Sequence, residues 1–252
     1  MVFYHNLDPV LLQLGPIKIY WYGLMYVISF IVVYLYVRSA VRHKKLRISL
    51  ADLDNLMILL TLALLIGARL FEVFLYNPAY YLANPLQIPM VWKGGLSFHG
   101  GLVGVVIVGF LFAKKKKIKF LHLCDIFVVP LALAQAFGRL GNFINGELYG
   151  RITNLPWGMK FPDAEGFRHP SQLYELGYNL VIFSFLFLKR NKQQPAGYLL
   201  SWFLILYSIF RFLTEFVREP EVMVGPLTLG QVLNIGMLIA GIGLLYWIKK
   251  KA

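Results

Sequence analysis

Long apolar runs separated by short basic or glycine-rich turns set the plan of this 252-residue chain. A helix that crosses a hydrocarbon core takes about 20 apolar residues. Seven windows meet or approach that length: roughly 20–37, 53–76, 96–113, 120–137, 173–188, 198–217 and 227–248, the fifth being short. The pattern predicts an all-α, polytopic integral membrane protein with about seven transmembrane helices.

Charge then orients the spans. Arg38, Arg42, Lys44, Lys45 and Arg47 follow the first window, and Lys114, Lys115, Lys116, Lys117 and Lys119 follow the third. Lys189, Arg190 and Lys192 follow the fifth, and Lys249, Lys250 and Lys251 come after the last. These clusters fall on alternate connections, which the positive-inside rule makes cytoplasmic. The N-terminus is then expected outside and the C-terminus inside. Residues 139–170 form an outer loop or small cap within a single transmembrane domain, 1–252.

Composition agrees. The chain is 58% hydrophobic, with mean hydropathy +0.63. Its net charge of +13 lies in clusters between apolar runs, so membrane lipid is the expected partner and nucleic acid is not. Cys124 is the single cysteine, which excludes an internal disulfide framework and a thiolate metal cluster. The opening "MVFYHNLDPVLLQLGPIK" carries Pro9 and Pro16 and no basic start, so it does not read as a cleaved signal peptide, and the first span is expected to be retained.

Polar residues interrupt the apolar pattern at one depth. Arg69 and Arg211 fall about 10 Å inside the outer ends of the second and sixth windows, at about 1.5 Å per residue. Each precedes a proline by the same spacing, Pro78 and Pro220, a faint echo that does not amount to a repeat. Charged side chains at such depth face partners, a cavity or a substrate. Glu72 follows Arg69, and Glu215 follows Arg211, at helical-neighbour spacings. Arg69 reads as a structural pair with Glu72. For Arg211 pairing and substrate binding both stand, because Arg218 adds a second positive charge on the same face. His99, within "GGLSFHGGLVG", reads either as a hydrogen-bonded structural residue or as a site group approached closely across its glycines. Tyr22, His99, Arg139, Asn142, Glu147 and Arg211 come from separate spans yet share the outer third, together with Tyr174 and Glu175.

Two arginines converging there resemble a phosphate clamp, since the guanidinium fork matches phosphate oxygens. In a pocket open to lipid, the nearest phosphate is a phospholipid headgroup. No H-E-x-x-H, G-x-S-x-G or phosphate-loop pattern supports a rival chemistry. Cys124 lies away from this depth and reads as a packing residue, so a reacting thiol would come with the substrate.

The stretch "GRLGNFINGELYGR", 138–151, resembles the signature of bacterial prolipoprotein diacylglyceryl transferases. The resemblance extends to "WYGLMY", "GARL", "GGLSFHGGLVG", "LPWG", "RHPSQLYE" and "RFLTEFVREP", and so covers nearly the whole chain. It implies an enzyme of the bacterial cytoplasmic (inner) membrane with its active site toward the extracytoplasmic side. Such an enzyme moves the diacylglyceryl group of phosphatidylglycerol onto the lipobox cysteine thiol of a prolipoprotein signal peptide. This makes a thioether and releases glycerol phosphate, the first step of lipoprotein maturation. The family's catalytic positions fall on His99, Arg139 and Arg211, and its substrate-binding positions on Tyr22, Asn142, Glu147, Gly150, Tyr207, Glu215 and Arg218. His99 serves as general base or as orienting donor. No metal or cofactor is implied, because the lipid carries the transferred group. The alternative is an outward-facing phospholipid or anion transporter, which would also place arginines in a membrane pocket but calls for paired broken helices or a clear repeat. A seven-span receptor fits the span count but not a phosphate-type site.

Overall fold

Each apolar window coincides with a long helix in the computed structural model, which describes residues 3–220 and 222–251. The chain opens with three short strands, β1 (Phe3–Tyr4), β2 (Val10–Leu14) and β3 (Ile17–Tyr20), before α1 (Trp21–Arg42). Then come α2 (Leu50–Phe71), prolonged by one π turn over Glu72–Tyr76, the short α3 (Pro78–Ala83) and α4 (Phe98–Lys115). After them run α5 (Phe120–Asn145), β4 (Met159–Lys160), α6 (Ser171–Lys189) and α7 (Tyr198–Thr214). A hairpin of β5 (Met223–Val224) and β6 (Leu227–Thr228) leads into α8 (Leu229–Lys251).

Among the described residues five helices are long and apolar enough to cross a membrane: α1, α2 with its π turn, α4, α5 and α8. The apolar α7 is shorter, at 17 residues. The remaining window, α6, turns Ser171, Gln172, Glu175 and Asn179 inward, where all four are buried beside Tyr178, Ile182 and Leu186. Its polarity is therefore internal, which is why a hydropathy window undercounts it. The protein is a mostly helical, multi-pass membrane protein.

Three features depart from the sequence reading. The strands, in three two-stranded pairs (β1 with β4, β2 with β3, β5 with β6), modify the all-α expectation. Helix α5 continues to Asn145, so residues 138–145, expected to open an outer loop, are helical. Helix α7 stops at Thr214, which leaves Glu215 on the turn that follows and Arg218 in an isolated bridge with Gly150.

The chain divides into two compact units, one made of the chain up to Tyr36 together with the chain from Cys124 onward, the other of Val37–Leu123. In the second unit, α2 and α4 lie against each other because Gly67 and Gly100 face one another: a Cβ on either would strike the other's carbonyl oxygen. Ser49 Oγ accepts from the Asp52 amide at 3.0 Å while Asp52 accepts from the Ser49 amide at 3.3 Å, a reciprocal cap on α2. In the first unit α7 packs on α6 and α8. Asp125 of α5 accepts from the backbone amides of Gly197 (2.7 Å) and Leu200 (2.8 Å), so a side chain distant in sequence satisfies the first amides of α7.

Candidate active site

The signature stretch begins on the last turns of α5, where Arg139 and Asn142 are one helical turn apart. Arg139 Nη1 donates to Asn142 Oδ1 at 3.3 Å, and Asn142 Nδ2 donates to Glu147 Oε1 at 2.8 Å. Gly146 (φ +70°) and Leu148 (φ +60°) take left-handed conformations that turn the chain out of the helix. The turn is then tied to α6: Gln172 Nε2 donates to the Glu147 carbonyl (2.7 Å) and Ser171 Oγ to that of Leu148 (2.9 Å). At Gly150 the backbone pairs with Arg218, and its amide donates to the His169 carbonyl at 2.8 Å. A Cβ here would strike Val217 O and lie 2.9 Å from the His169 Cβ, so only glycine fits without displacement.

This folding brings three guanidiniums to two carboxylates. Arg139 Nε pairs with Glu175 Oε2 at 2.8 Å, and Arg218 Nη1 with Glu175 Oε1 at 2.7 Å. Arg218 Nε also lies 3.6 Å from Glu215 Oε1, which pairs with Arg211 Nη1. The result is a continuous chain, Arg139, Glu175, Arg218, Glu215, Arg211, with one positive charge in excess. Thr228 Oγ1 donates to the second Glu215 oxygen at 2.8 Å. The Arg211 ion pair is off the hydrogen-bond direction, so its buried Nη1 has no aligned acceptor. Among the three arginines Arg139 is the most open, with 24% of its side chain exposed against 16% for Arg211 and 11% for Arg218.

Around this chain the aromatic members fall into place. Tyr22, at the start of α1, sits against Gly141, which leaves room for its ring, and its hydroxyl lies 3.0 Å from that of Tyr26. Tyr207 meets Tyr178 edge to face (6.0 Å) and stacks on Phe203 (5.7 Å). Tyr178 in turn donates to Glu175 Oε2 at 3.4 Å. A cleft of about 460 Å³ opens beside Tyr178, lined by Leu155, Trp157, His169, Tyr174 and Phe210 among others. On its rim Trp157 Nε1 donates to the Tyr174 hydroxyl at 2.7 Å, and that hydroxyl lies 3.2 Å from His169 Nδ1. Burial pushes the His169 imidazole below its ordinary pKa. A larger hollow in the second unit, about 640 Å³ at Val41, Lys44, Arg47 and Asp52, contains none of the predicted site residues.

Tyr22, Arg139, Asn142, Glu147, Gly150, Tyr207, Arg211, Glu215 and Arg218 therefore all belong to the first unit. His99 belongs to the second, exposed on the first turn of α4, with Nδ1 3.0 Å from the Tyr76 hydroxyl. Arg69 is structural, as the sequence suggests, but not through Glu72. It is buried and donates to the carbonyls of Gln87 (2.5 Å), Ile88 (2.8 Å), Gly94 (2.7 Å), Gly95 (2.9 Å) and Met90 (3.5 Å). Glu72 instead accepts from Asn77 Nδ2 at 2.6 Å. To the Arg211, Arg218 and Glu215 group read from the sequence the structure adds a second carboxylate, Glu175, and a third guanidinium, Arg139, so one positive charge still stands in excess. In the sequence only its depth marks Glu175, because its partners lie on α5 and beyond α7, outside any local spacing rule. Among the described residues no group of three His, Cys, Asp or Glu side chains is arranged to hold a metal ion.

The model of the prolipoprotein diacylglyceryl transferase family matches residues 9–247. A phosphatidylglycerol–prolipoprotein diacylglyceryl transferase of Bordetella parapertussis is 47% identical over 252 residues, covering 97% of this chain and 96% of its own length. Proteins of the same name from Geobacter sulfurreducens and Nitrosomonas europaea are 43% and 42% identical, covering 94% and 98% of this chain and 94% and 92% of their own.

Proposed function

The chain belongs to the prolipoprotein diacylglyceryl transferase family, and on that footing we propose that it transfers the diacylglyceryl group of phosphatidylglycerol to the lipobox cysteine of a prolipoprotein. The observation that carries the site assignment is the ionic chain from Arg139 to Arg211, with its excess positive charge and an Arg211 donor lacking an aligned acceptor. A phosphodiester monoanion supplies both the charge and the acceptor oxygens that this arrangement lacks.

In the reaction the substrate thiol sulfur bonds to the glyceryl carbon as the bond from that carbon to the phosphate oxygen breaks. Its electron pair stays on the phosphate, which leaves as glycerol phosphate with an added negative charge. Arg139 and Arg211 stabilise that growing charge, a contribution of about a hundredfold or more per preorganised donor. The carboxylates of Glu175 and Glu215 keep the guanidiniums in place beforehand, so little reorganisation is left for the chemical step. The thiol has an ordinary pKa of about 8.5, and nearby guanidiniums raise its thiolate fraction. His99 takes the thiol proton or orients the thiol, a role that rests on the family resemblance. Asn142 and Glu147 hold Arg139 in register, and Tyr22 and Tyr207 line the headgroup position.

The protein works in the bacterial cytoplasmic membrane with about seven spans, its N-terminus outside, its C-terminus in the cytoplasm and its site toward the extracytoplasmic side; the alternation of basic clusters supports this orientation. No name among the relatives supports the transporter alternative.

The test supplies phosphatidylglycerol and a lipobox peptide to wild type and to Arg139→Ala in liposomes. Wild type is expected to release glycerol phosphate and add a diacylglyceryl mass to the peptide, while the folded variant does neither. A wild type that modifies no peptide, where a verified transferase does, overturns the proposal.

A further inference from the structure

The β2–β3 hairpin is amphipathic, and among the described residues nothing covers its apolar side. Its register pairs Leu12 with Ile19, Gln13 with Lys18 and Leu14 with Ile17. Paired residues project from the same face of an antiparallel ribbon and alternate along each strand. Leu12, Leu14, Ile17 and Ile19 therefore share one face; Gln13 and Lys18 occupy the other, with the Val10–Tyr20 pair at its base. The four aliphatic side chains are 48%, 58%, 64% and 40% exposed. A two-stranded ribbon with no packed face is marginal in water, so this one needs an apolar surface to lie on.

Position selects that surface. The hairpin is not a free arm: Tyr20, the last residue of β3, is followed directly by Trp21, the first of the membrane-length helix α1. The Trp21 amide donates back to the Pro9 carbonyl at 3.1 Å, which fastens the base of the hairpin to the end of that helix. Tyr20 and Trp21 are residue types that concentrate where a span meets the headgroups. The apolar face is thus tethered beside the end of α1, where that membrane-length helix begins.

We propose that β2–β3 lies in the membrane interface as a lipid-dipping anchor. Leu12, Leu14, Ile17 and Ile19 rest among the upper acyl segments, while Gln13 and Lys18 face headgroup and water. The lysine suits anionic headgroups, so the anchor would hold the N-terminal end of α1, next to Tyr22, at a fixed depth in lipid containing phosphatidylglycerol.

The experiment uses full-length protein in phosphatidylglycerol–phosphatidylethanolamine vesicles. Leu14→Cys, Ile17→Cys, Gln13→Cys and Lys18→Cys are made singly in a Cys124→Ala background and labelled with an environment-sensitive dye. Labels at 14 and 17 are expected to be blue-shifted and quenched by lipids spin-labelled near the headgroup; those at 13 and 18 are expected to be quenched by aqueous iodide. Equal iodide access at all four positions overturns the proposal. So does protection of 14 and 17 that appears only with added lipobox peptide, or only as protomers associate. A parallel measurement on wild type, cross-linking to a lipid with a photoreactive group near its ester, is expected to mark residues 11–19. Absence of those adducts where α1 is marked overturns it independently of how the variants fold.

Discussion

Glu175 accepts from Arg139 Nε at 2.8 Å although the two residues sit on different helices, and its carboxylate is fully buried. Its other oxygen takes Arg218 at 2.7 Å. Removing one partner from a buried ionic group costs about 3–5 kcal/mol, because the remaining charge stays desolvated and unpaired. Glu175→Gln keeps the shape and deletes the charge. The expected result is a lower unfolding temperature in detergent and a loss of turnover larger than any loss in phosphatidylglycerol binding. Unchanged turnover in Glu175→Gln would remove this carboxylate from the account of the site.

Gly150→Ala tests packing at the same place. The added methyl meets the Val217 carbonyl and the His169 Cβ, and overpacking of this kind costs about 1–3 kcal/mol. The strain falls on the backbone bridge between Gly150 and Arg218, so Arg218 moves with it. Misplacing a catalytic array by about 1 Å can lower rates on the order of a hundredfold. Activity is therefore expected to drop far more than stability, and Gly150→Ser to fare worse. Equal activity in wild type and Gly150→Ala would mean the bridge yields without disturbing the arginines.

The helices were legible because burial in lipid demands long apolar runs, and those survive in the sequence as windows. Parts whose logic is three-dimensional were not. Residues 138–145 read as loop since glycines and charges crowd there, yet the helix persists, with Gly141 making room for Tyr22 and Asn142 bonding onward to Glu147. Likewise, β2–β3 is too short for a span and mixes Gln13 and Lys18 among its apolar residues, so no hydropathy window marks it. Among site residues, Arg211 with Glu215 followed from spacing. Glu175 did not, because both its arginines arrive from distant segments.

His169 gives the cap a pH signature. Burial lowers its folded pKa below the unfolded value of about 6.5, so the native state binds fewer protons than the unfolded one through that window. Stability then rises with pH across it. No penalty is present above the unfolded value; it grows as pH falls below about 6.5 and is complete below the folded value. Unfolding temperatures of wild type and His169→Gln, compared between neutral and mildly acid pH, should show the steeper acid loss in wild type. Parallel curves would assign the acid sensitivity elsewhere.

Arg69 and Arg211 look alike in the sequence and are expected to fail differently. Arg69 binds five carbonyls of residues 87–95 and lies over the Tyr81 ring at 4.8 Å. Each hydrogen bond to a charged group contributes about 1.5–3 kcal/mol, so Arg69→Ala releases the connection between α3 and α4. Hydrogen exchange should show protection lost across 85–97. Arg69→Lys keeps the charge but lacks the fork that reaches several carbonyls together, and should rescue only part of that protection. Arg211→Ala should leave exchange in 85–97 unchanged while abolishing glycerol phosphate release, as the proposed role of its guanidinium at the reacting phosphate requires. If Arg211→Ala instead unfolds its surroundings and retains turnover per folded molecule, Arg211 is structural too and the clamp reduces to Arg139.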